Sequence, residues 1–443
     1  DAHREVVGVS TLTFAARGPL AELDATARVA LFDRNTTTDD LVRERTRAVI
    51  DRVRRDGDAA LLAYAREFDG ATLDRLEVPR ARWDAALASL DPSLRRALER
   101  AAANIRRVHE AFRPVTQEVT TADGAIIGRR PDPLGRVGVY APGGRATYPS
   151  SLLMGAVPAR VAGVKEVIVC SPPDASGAPS AVLLAAAAIA GVDRVFAVGG
   201  AGAVAAMAFG TASVPAVDRI VGPGNAYVAE AKLQVSGVVG IDAPAGPSEL
   251  LVLADESATP AVVAREMLAQ AEHDPVAAVV LVTDSDALAA AVGAELAVRV
   301  DAEPRAAVIR AAFAARGGIL TVPSLVDAVE FANAWAAEHL LLAVAPSVEA
   351  RILAELRGAG TIFVGETASV AFGDYLSGAN HVLPTGGLAR IWSGLSTLDF
   401  VRWTTWQRID RDAARALAAD VDVFATAEGL PAHAAAARQW GTA

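Results

Sequence analysis

At 443 residues the chain is too long for a single core and suits two or three domains. Its content of 52% hydrophobic and 21% charged residues excludes a disordered protein. A net charge of −10 with no basic stripe speaks against nucleic acid or an anionic membrane surface as partners.

The first residues, DAHREVVGVS, lack a basic stretch followed by an apolar one, so no secretory leader is expected. Residues 35–113 read as helices, with apolar residues three and four apart in TTTDDLVRERTRAVIDRVRRDGDAALLAYAREFDG and DPSLRRALERAAANIRRVHEAF. His3 and His109 lie in these charged segments and are expected at the surface. From 134 the pattern changes to short β-branched runs alternating with Ala/Leu-rich helices: RVGVYAP, SSLLMGAVPARVAGV, EVIVCSPP, SAVLLAAAAIAG, RVFAVGG, AGAVAAMAFG and RIVGPGN. That alternation predicts parallel strands covered by helices. Its longest uncharged apolar run, AVLLAAAAIAGV (181–192), falls short of the ~20 residues that cross a bilayer. Cys170 is the lone cysteine, so no intrachain disulfide is possible and a reducing, cytoplasmic setting is expected.

The alternation restarts near 249 with LLVLADES and runs to TIFVG, predicting a second α/β unit and a ligand cleft between the two. After 366, GETASVAFGDYLSGANHVLPTGG reads as a long functional loop, and a helical tail follows. The expected segments are an N-terminal helical part (1–113), a first α/β domain (114–242), a second (243–385) and a helical tail (386–443).

Four stretches put polar chemistry in unusual places. In TPAVVAREMLAQAEHDP, Thr259 and Pro260 suit a helix start, and Asp274-Pro275 ends it. Gln270 and His273, three apart, share one face and can supply two ligands of a metal, while Glu272 points elsewhere. In AEHLLLAV, Glu338 and His339 stand at the edge of a strand-like run, as a general acid–base pair would. In FGDYLSGANHVLP, Asp374 and His381 lie on a Gly-supported loop able to close over a cleft. In EGLPAHAA, Glu428 and His433 frame the turn that starts the last helix. Taken singly, these are also a polar helix end, a surface pair, turn chemistry and a helix start. RVFAVGGAGAVAAMAF carries a G-x-G-x-x-A match at Gly200–Ala205, but Asp218 precedes a strand instead of ending one, so a ribose-binding role is poorly supported.

Read together, the chain resembles the histidinol dehydrogenase family. The resemblance rests on VGVYAPGG (137–144), YPSSLLM (148–154), VGPGNAYVAEAK (221–232), APAGPSEL (243–250), QAEHDP (270–275), EHLLL (338–342), GDYLSGANHVLPTGG (373–387) and EGLPAH (428–433), in the family's order. It implies two similar three-layer, incomplete Rossmann-like α/β domains with parallel sheets and helical ends. It further implies one zinc per subunit, held by Gln270, His273, Asp374 and His433. Substrate contacts are implied for Ser248, Gln270, His273, His339, Asp374, Glu428 and His433, and NAD contacts for Tyr140 and Asn225. Glu338 and His339 are implied as the acid–base pair in a four-electron oxidation of L-histidinol to L-histidine through bound L-histidinal, in histidine biosynthesis. A homodimer with shared active sites is implied, in which Glu428 and His433 complete the neighbour's site.

Two departures stand out: Gly202 occupies a position where the family usually has a Gln that touches NAD, and Ala337 replaces a common Pro. One alternative keeps scaffold, zinc and NAD but oxidises another small alcohol, such as a sulfonated diol. Glu428 discriminates, because a carboxylate suits a cationic amino alcohol. A non-catalytic relative is disfavoured by the intact set of presumed ligands and acid–base residues.

Overall fold

The computed structural model describes residues 12–34, 39–143 and 147–441. His3, the segment 35–38 and Gly144 of VGVYAPGG lie outside them. The chain opens with strand β1 (Ala16–Pro19) and helices α1 (Ala25–Phe32), α2 (Asp40–Asp56), α3 (Asp58–Phe68), α4 (Arg80–Ser89) and α5 (Pro92–Ala111). Strands β2 (Gln117–Thr120) and β3 (Ile126–Pro133) follow.

The first α/β unit comprises β4 (Arg136–Tyr140), α6 (Pro149–Ala162), β5 (Glu166–Ser171), α7 (Ala181–Ala190), β6 (Arg194–Ala197), α8 (Gly200–Phe209), β7 (Arg219–Val221), α9 (Ala226–Val235) and β8 (Gly240–Ile241). Its strands form a parallel sheet in the order β6-β5-β4-β7-β8. The second unit comprises β9 (Glu249–Ala254), α10 (Pro260–Ala271), β10 (Ala278–Thr283), α11 (Asp286–Arg299), α12 (Ala306–Arg316), β11 (Gly317–Thr321), α13 (Leu325–Trp335), β12 (His339–Ala343), α14 (Pro346–Glu355), β13 (Thr361–Val364) and α15 (Val370–Tyr375). Its parallel sheet, β1-β11-β10-β9-β12-β13, repeats the order of the first with β1 added at one edge. The expected α/β class with two parallel sheets is therefore present.

Both terminal segments are helical, and each also contains a strand that the sequence pattern did not reveal. β1 is a four-residue edge strand, too short to show alternation. β14 (Val401–Arg408) precedes α16 (Arg411–Ala427) and α17 (Pro431–Gly441) and pairs antiparallel with β3. Within the expected loop after 366, six residues form α15.

Packing explains the layers. Strands β9 and β10 are buried along their whole length, which suits near-continuous apolar runs covered on both faces. Leu250 and Val252 face a core with α10, α11 and α12, while Leu251 and Leu253 face one with α1 and α13. Helices α2 to α5 share a single core with the first sheet, through Val53, Leu61, Trp83 and Ile105. Among the described residues no helix is long and apolar enough to cross a membrane.

His109 corrects the surface expectation, since it is only 2% exposed. It continues the buried stripe Leu98, Ala101, Ala102 and Ile105 on α5, so helical spacing outweighs the charged residues around it. Neither ring nitrogen has a hydrogen-bond partner among the described residues, and burial pushes its pKa down to about 4 from 6.5. A depressed histidine stabilises the fold above pH 6.5 and loses that contribution as pH falls through 4, because the unfolded chain binds the proton more readily. His109→Leu should flatten acid unfolding between these values by up to ~3 kcal/mol. Urea titrations of both proteins at pH 7 and pH 4.5 measure this; an unchanged difference would refute it.

Candidate active site

The second sheet places its chemistry at the amino ends of its strands. Ser248 immediately precedes β9, Glu338 immediately precedes β12, and His339 begins β12. β9 and β12 are paired neighbours, with His339 opposite Leu250. Open α/β sheets usually bind ligands at the carboxyl ends of their strands. Here the site lies at the opposite edge.

Glu338 and His339 are both buried. One oxygen of Glu338, Oε2, accepts the Glu249 amide at 2.7 Å and lies 3.4 Å from His339 Nδ1. His339 Nδ1 is 3.0 Å from the Glu249 carbonyl. A carbonyl only accepts, so Nδ1 carries the proton and a neutral ring keeps its lone pair on Nε2. Nε2 is buried without a hydrogen-bond partner among the described residues and lies 3.5 Å from Asp374 Oδ1. Burial lowers the His339 pKa, but the Glu338 and Asp374 carboxylates outweigh it and hold the ring well above the ordinary histidine range.

Asp374, His273 and His381 lie close to this pair. α10 ends at Ala271 with Glu272 as its C-cap, and the His273 amide bonds the Gln270 carbonyl at 3.3 Å, so the turn carrying both side chains tightens just past the helix. His273 Nδ1 lies 3.4 Å from Ser248 Oγ. The neighbouring His339, His381 and His273 rings favour the Asp374 carboxylate and outweigh its burial, holding its pKa low. Glu266 of α10 accepts the Val370 amide at 3.1 Å, which ties α10 to the start of α15 and so to Asp374. His381 closes the loop onto the first unit, with Nδ1 2.8 Å from the Asp374 carbonyl and Nε2 3.1 Å from Ser151 Oγ.

The Gln270 amide is 2% exposed and its Nε2 has no hydrogen-bond partner among the described residues, a costly state for a buried polar group. Amide, imidazole and carboxylate donors from Gln270, His273 and Asp374 fit a cation of zinc's borderline character, with a fourth ligand needed for a tetrahedral shell. Among the described residues no three His, Cys, Asp or Glu side chains form a metal cluster by themselves. Glu428 and His433 stand exposed at the junction of α16 and α17, and make no hydrogen bond or ion pair to this group in their own chain.

Tyr140 and Asn225 lie at the carboxyl ends of β4 and β7, where the strand order of the first sheet reverses. Such a reversal is the usual crevice for a nucleotide. The Tyr140 hydroxyl accepts the Gly200 amide at 3.1 Å, and burial pushes its pKa up to about 12, keeping it neutral. Asn225 caps α9, accepting the Tyr227 and Val228 amides. The turn between them needs glycine, because a Cβ on Gly222 (φ +115°) would run into the Tyr140 carbonyl. The buried Lys232–Asp242 pair grips that turn, with Lys232 Nζ donating to the Gly222 carbonyl at 3.1 Å and Asp242 accepting its amide at 2.7 Å. Asp218 instead accepts the Gly135 and Arg136 amides, away from any ribose role.

A profile of the histidinol dehydrogenase family matches residues 32–439. The chain belongs to the histidinol dehydrogenase family. It is 50% identical to the histidinol dehydrogenase of Halobacterium salinarum over 417 residues, covering 94% of this chain and 97% of that one. It is 46% identical to that of Bordetella parapertussis over 404 residues, covering 90% and 91%. The crystal structure of histidinol dehydrogenase from Elizabethkingia anophelis superposes with a TM-score of 0.91 at 31% identity, covering 96% of this chain and 98% of the other. The protein is accordingly an oxidoreductase of the histidinol dehydrogenase family.

Residue reading and the family resemblance both passed over Glu249 and Arg34. Glu249 bonds both members of the buried Glu338–His339 pair, and its carboxylate pairs with Arg34 at 2.5 Å. Burial pushes Glu249 up to about 7 against the pull of that guanidinium. The available signal was a charged residue heading the otherwise apolar run ELLVLA.

Proposed function

We propose that the protein oxidises L-histidinol to L-histidine through the bound aldehyde, in two successive steps at one site. The observation that carries this reading is His339, whose Nδ1 is committed to a carbonyl while its buried Nε2 has no hydrogen-bond partner among the described residues. Nε2 is then the atom that removes the alcohol proton as the carbon loses hydride. Glu338 lies beside it, buried, and activates the water that adds to the aldehyde before the second hydride leaves. Ser248 and His273 position the substrate over this pair. Zinc held by Gln270, His273, Asp374 and His433 of the partner subunit would supply Lewis-acid polarisation and absorb the Asp374 charge that raises His339. NAD+, placed by Tyr140 and Asn225 at the strand reversal, would accept one hydride in each step.

Glu428 and His433 act across a homodimer in this reading. They stand free of their own chain's site, and α16–α17 exposes Val423, Phe424, Leu430 and Trp440 as an apolar face. The Glu428 carboxylate favours a cationic amino alcohol over a sulfonated diol.

The test is NADH formed per L-histidinol consumed by the zinc-loaded enzyme, with and without chelator. Two NADH per substrate and loss of turnover with chelator are expected. One NADH would sink the two-step scheme, and no turnover by the zinc-loaded enzyme would sink histidinol as the substrate.

A further inference from the structure

The carboxylate of Glu249 faces away from the reacting groups, yet it is as buried as the core leucines. Along β9, side chains alternate between faces, so Glu249 shares the face of Leu251 and Leu253. On that face its Oε2 accepts from Arg34 at 2.5 Å and its Oε1 from the Gly386 amide at 2.7 Å. Its backbone lies in the plane of the sheet, where the amide holds Glu338 and the carbonyl holds His339. One residue is therefore locked by its side chain and does its holding with its main chain.

Arg34 fixes the other side of the same junction. Its guanidinium stacks on the Trp335 ring with a centroid distance of 3.6 Å and donates to the Trp335 carbonyl. Trp335 ends α13, and the link from there to His339 is only Ala336, Ala337 and Glu338. Ala336 has φ +52°, and among the described residues it is the one non-glycine with positive φ. A left-handed alanine persists only where its surroundings impose it, and such strain gathers at functional sites. Arg34 thus grips both the start of β9 and the strained link that delivers Glu338 and His339.

We propose that the buried Arg34–Glu249 pair is a positioning device for the acid–base couple, clamping the two main-chain segments that aim Glu338 and His339. This rests on the acid–base reading of those two residues. Neither Arg34 nor Glu249 is among the residues proposed to meet substrate or cofactor. Their effect falls on turnover, because displacement of a reacting group by about 1 Å costs roughly 100-fold in rate.

The test compares variants of the zinc-loaded enzyme with L-histidinol and NAD+. Replacing a buried ion pair with neutral groups of similar volume is tolerated far better than removing one partner. The double variant Arg34→Met/Glu249→Gln is therefore expected to keep its melting temperature, zinc content and KM while kcat falls roughly 100-fold. Glu249→Gln alone keeps one acceptor oxygen for Arg34 but turns its NH2 towards the Gly386 amide, and should lose less kcat than the double variant. Arg34→Lys, which keeps the charge but lacks the planar fork that reaches both Glu249 and Trp335, should fall between them and serves if the double variant does not fold. An unchanged kcat in the double variant, or in Arg34→Lys where that stands in for it, overturns the proposal. So does loss of zinc or a matching rise in KM, which would mark the pair as a general structural prop. His339→Asn is assayed alongside. If it is inactive while the double variant is active, only the positioning role falls; if it is fully active, the acid–base reading falls with it.

Discussion

His273→Asn should leave a folded protein that no longer retains zinc through gel filtration. Structural zinc sites bind with ~10–16 kcal/mol, or about 3 kcal/mol for each of four ligands, so losing one imidazole weakens binding roughly 100-fold. The fold should survive because His273 is exposed and lies beyond the last turn of α10, with only a long 3.4 Å contact to Ser248. Turnover should fall with the metal and recover in part when zinc is added in excess. Metal analysis of the desalted protein decides the matter. An undiminished zinc content would mean that His273 is not a ligand, whatever happened to the rate.

His339→Asn should behave in the opposite way, retaining zinc while kcat falls by ~10²–10⁴-fold, the usual contribution of a positioned base. The ring has two nitrogens with separate duties, and Asn can reproduce only the donation to the Glu249 carbonyl. The buried acceptor at Nε2 is lost, so proton removal from the alcohol should slow while substrate affinity changes little. Stopped-flow measurement of the first hydride transfer, with substrate titrated, separates these effects. A parent-like first step would remove His339 from the role of base. Glu338→Gln, measured in the same way, should spare the first transfer and slow the second, since water activation enters only there.

Much of the scaffold was legible because periodicity is a local property. The alternation of β-branched runs and Ala-rich helices from 134 predicted both parallel sheets. Short edges escaped: β1 is four residues long, and its strand pairing depends on β11, some three hundred positions away. His109 was misplaced because charge in the surrounding segment was weighed above its own place on the apolar stripe of α5. α15 was read as loop because six residues interrupted by Gly373 carry little helical signal.

The sequence by itself determined the residue types and the chain order of the candidate site, since Gln270, His273, Glu338, His339 and Asp374 stand in motifs that keep their spacing wherever they fold. It also determined the class of the fold. Only the tertiary structure decided that the site lies at the amino ends of β9 and β12, that His339 offers Nε2 and commits Nδ1, and that Arg34 and Glu249 stand behind it. It also left Glu428 and His433 apart from their own chain's cluster. These are outcomes of long-range packing: a tautomer depends on which carbonyl faces a ring, and a buried ion pair depends on two segments more than two hundred residues apart meeting out of water.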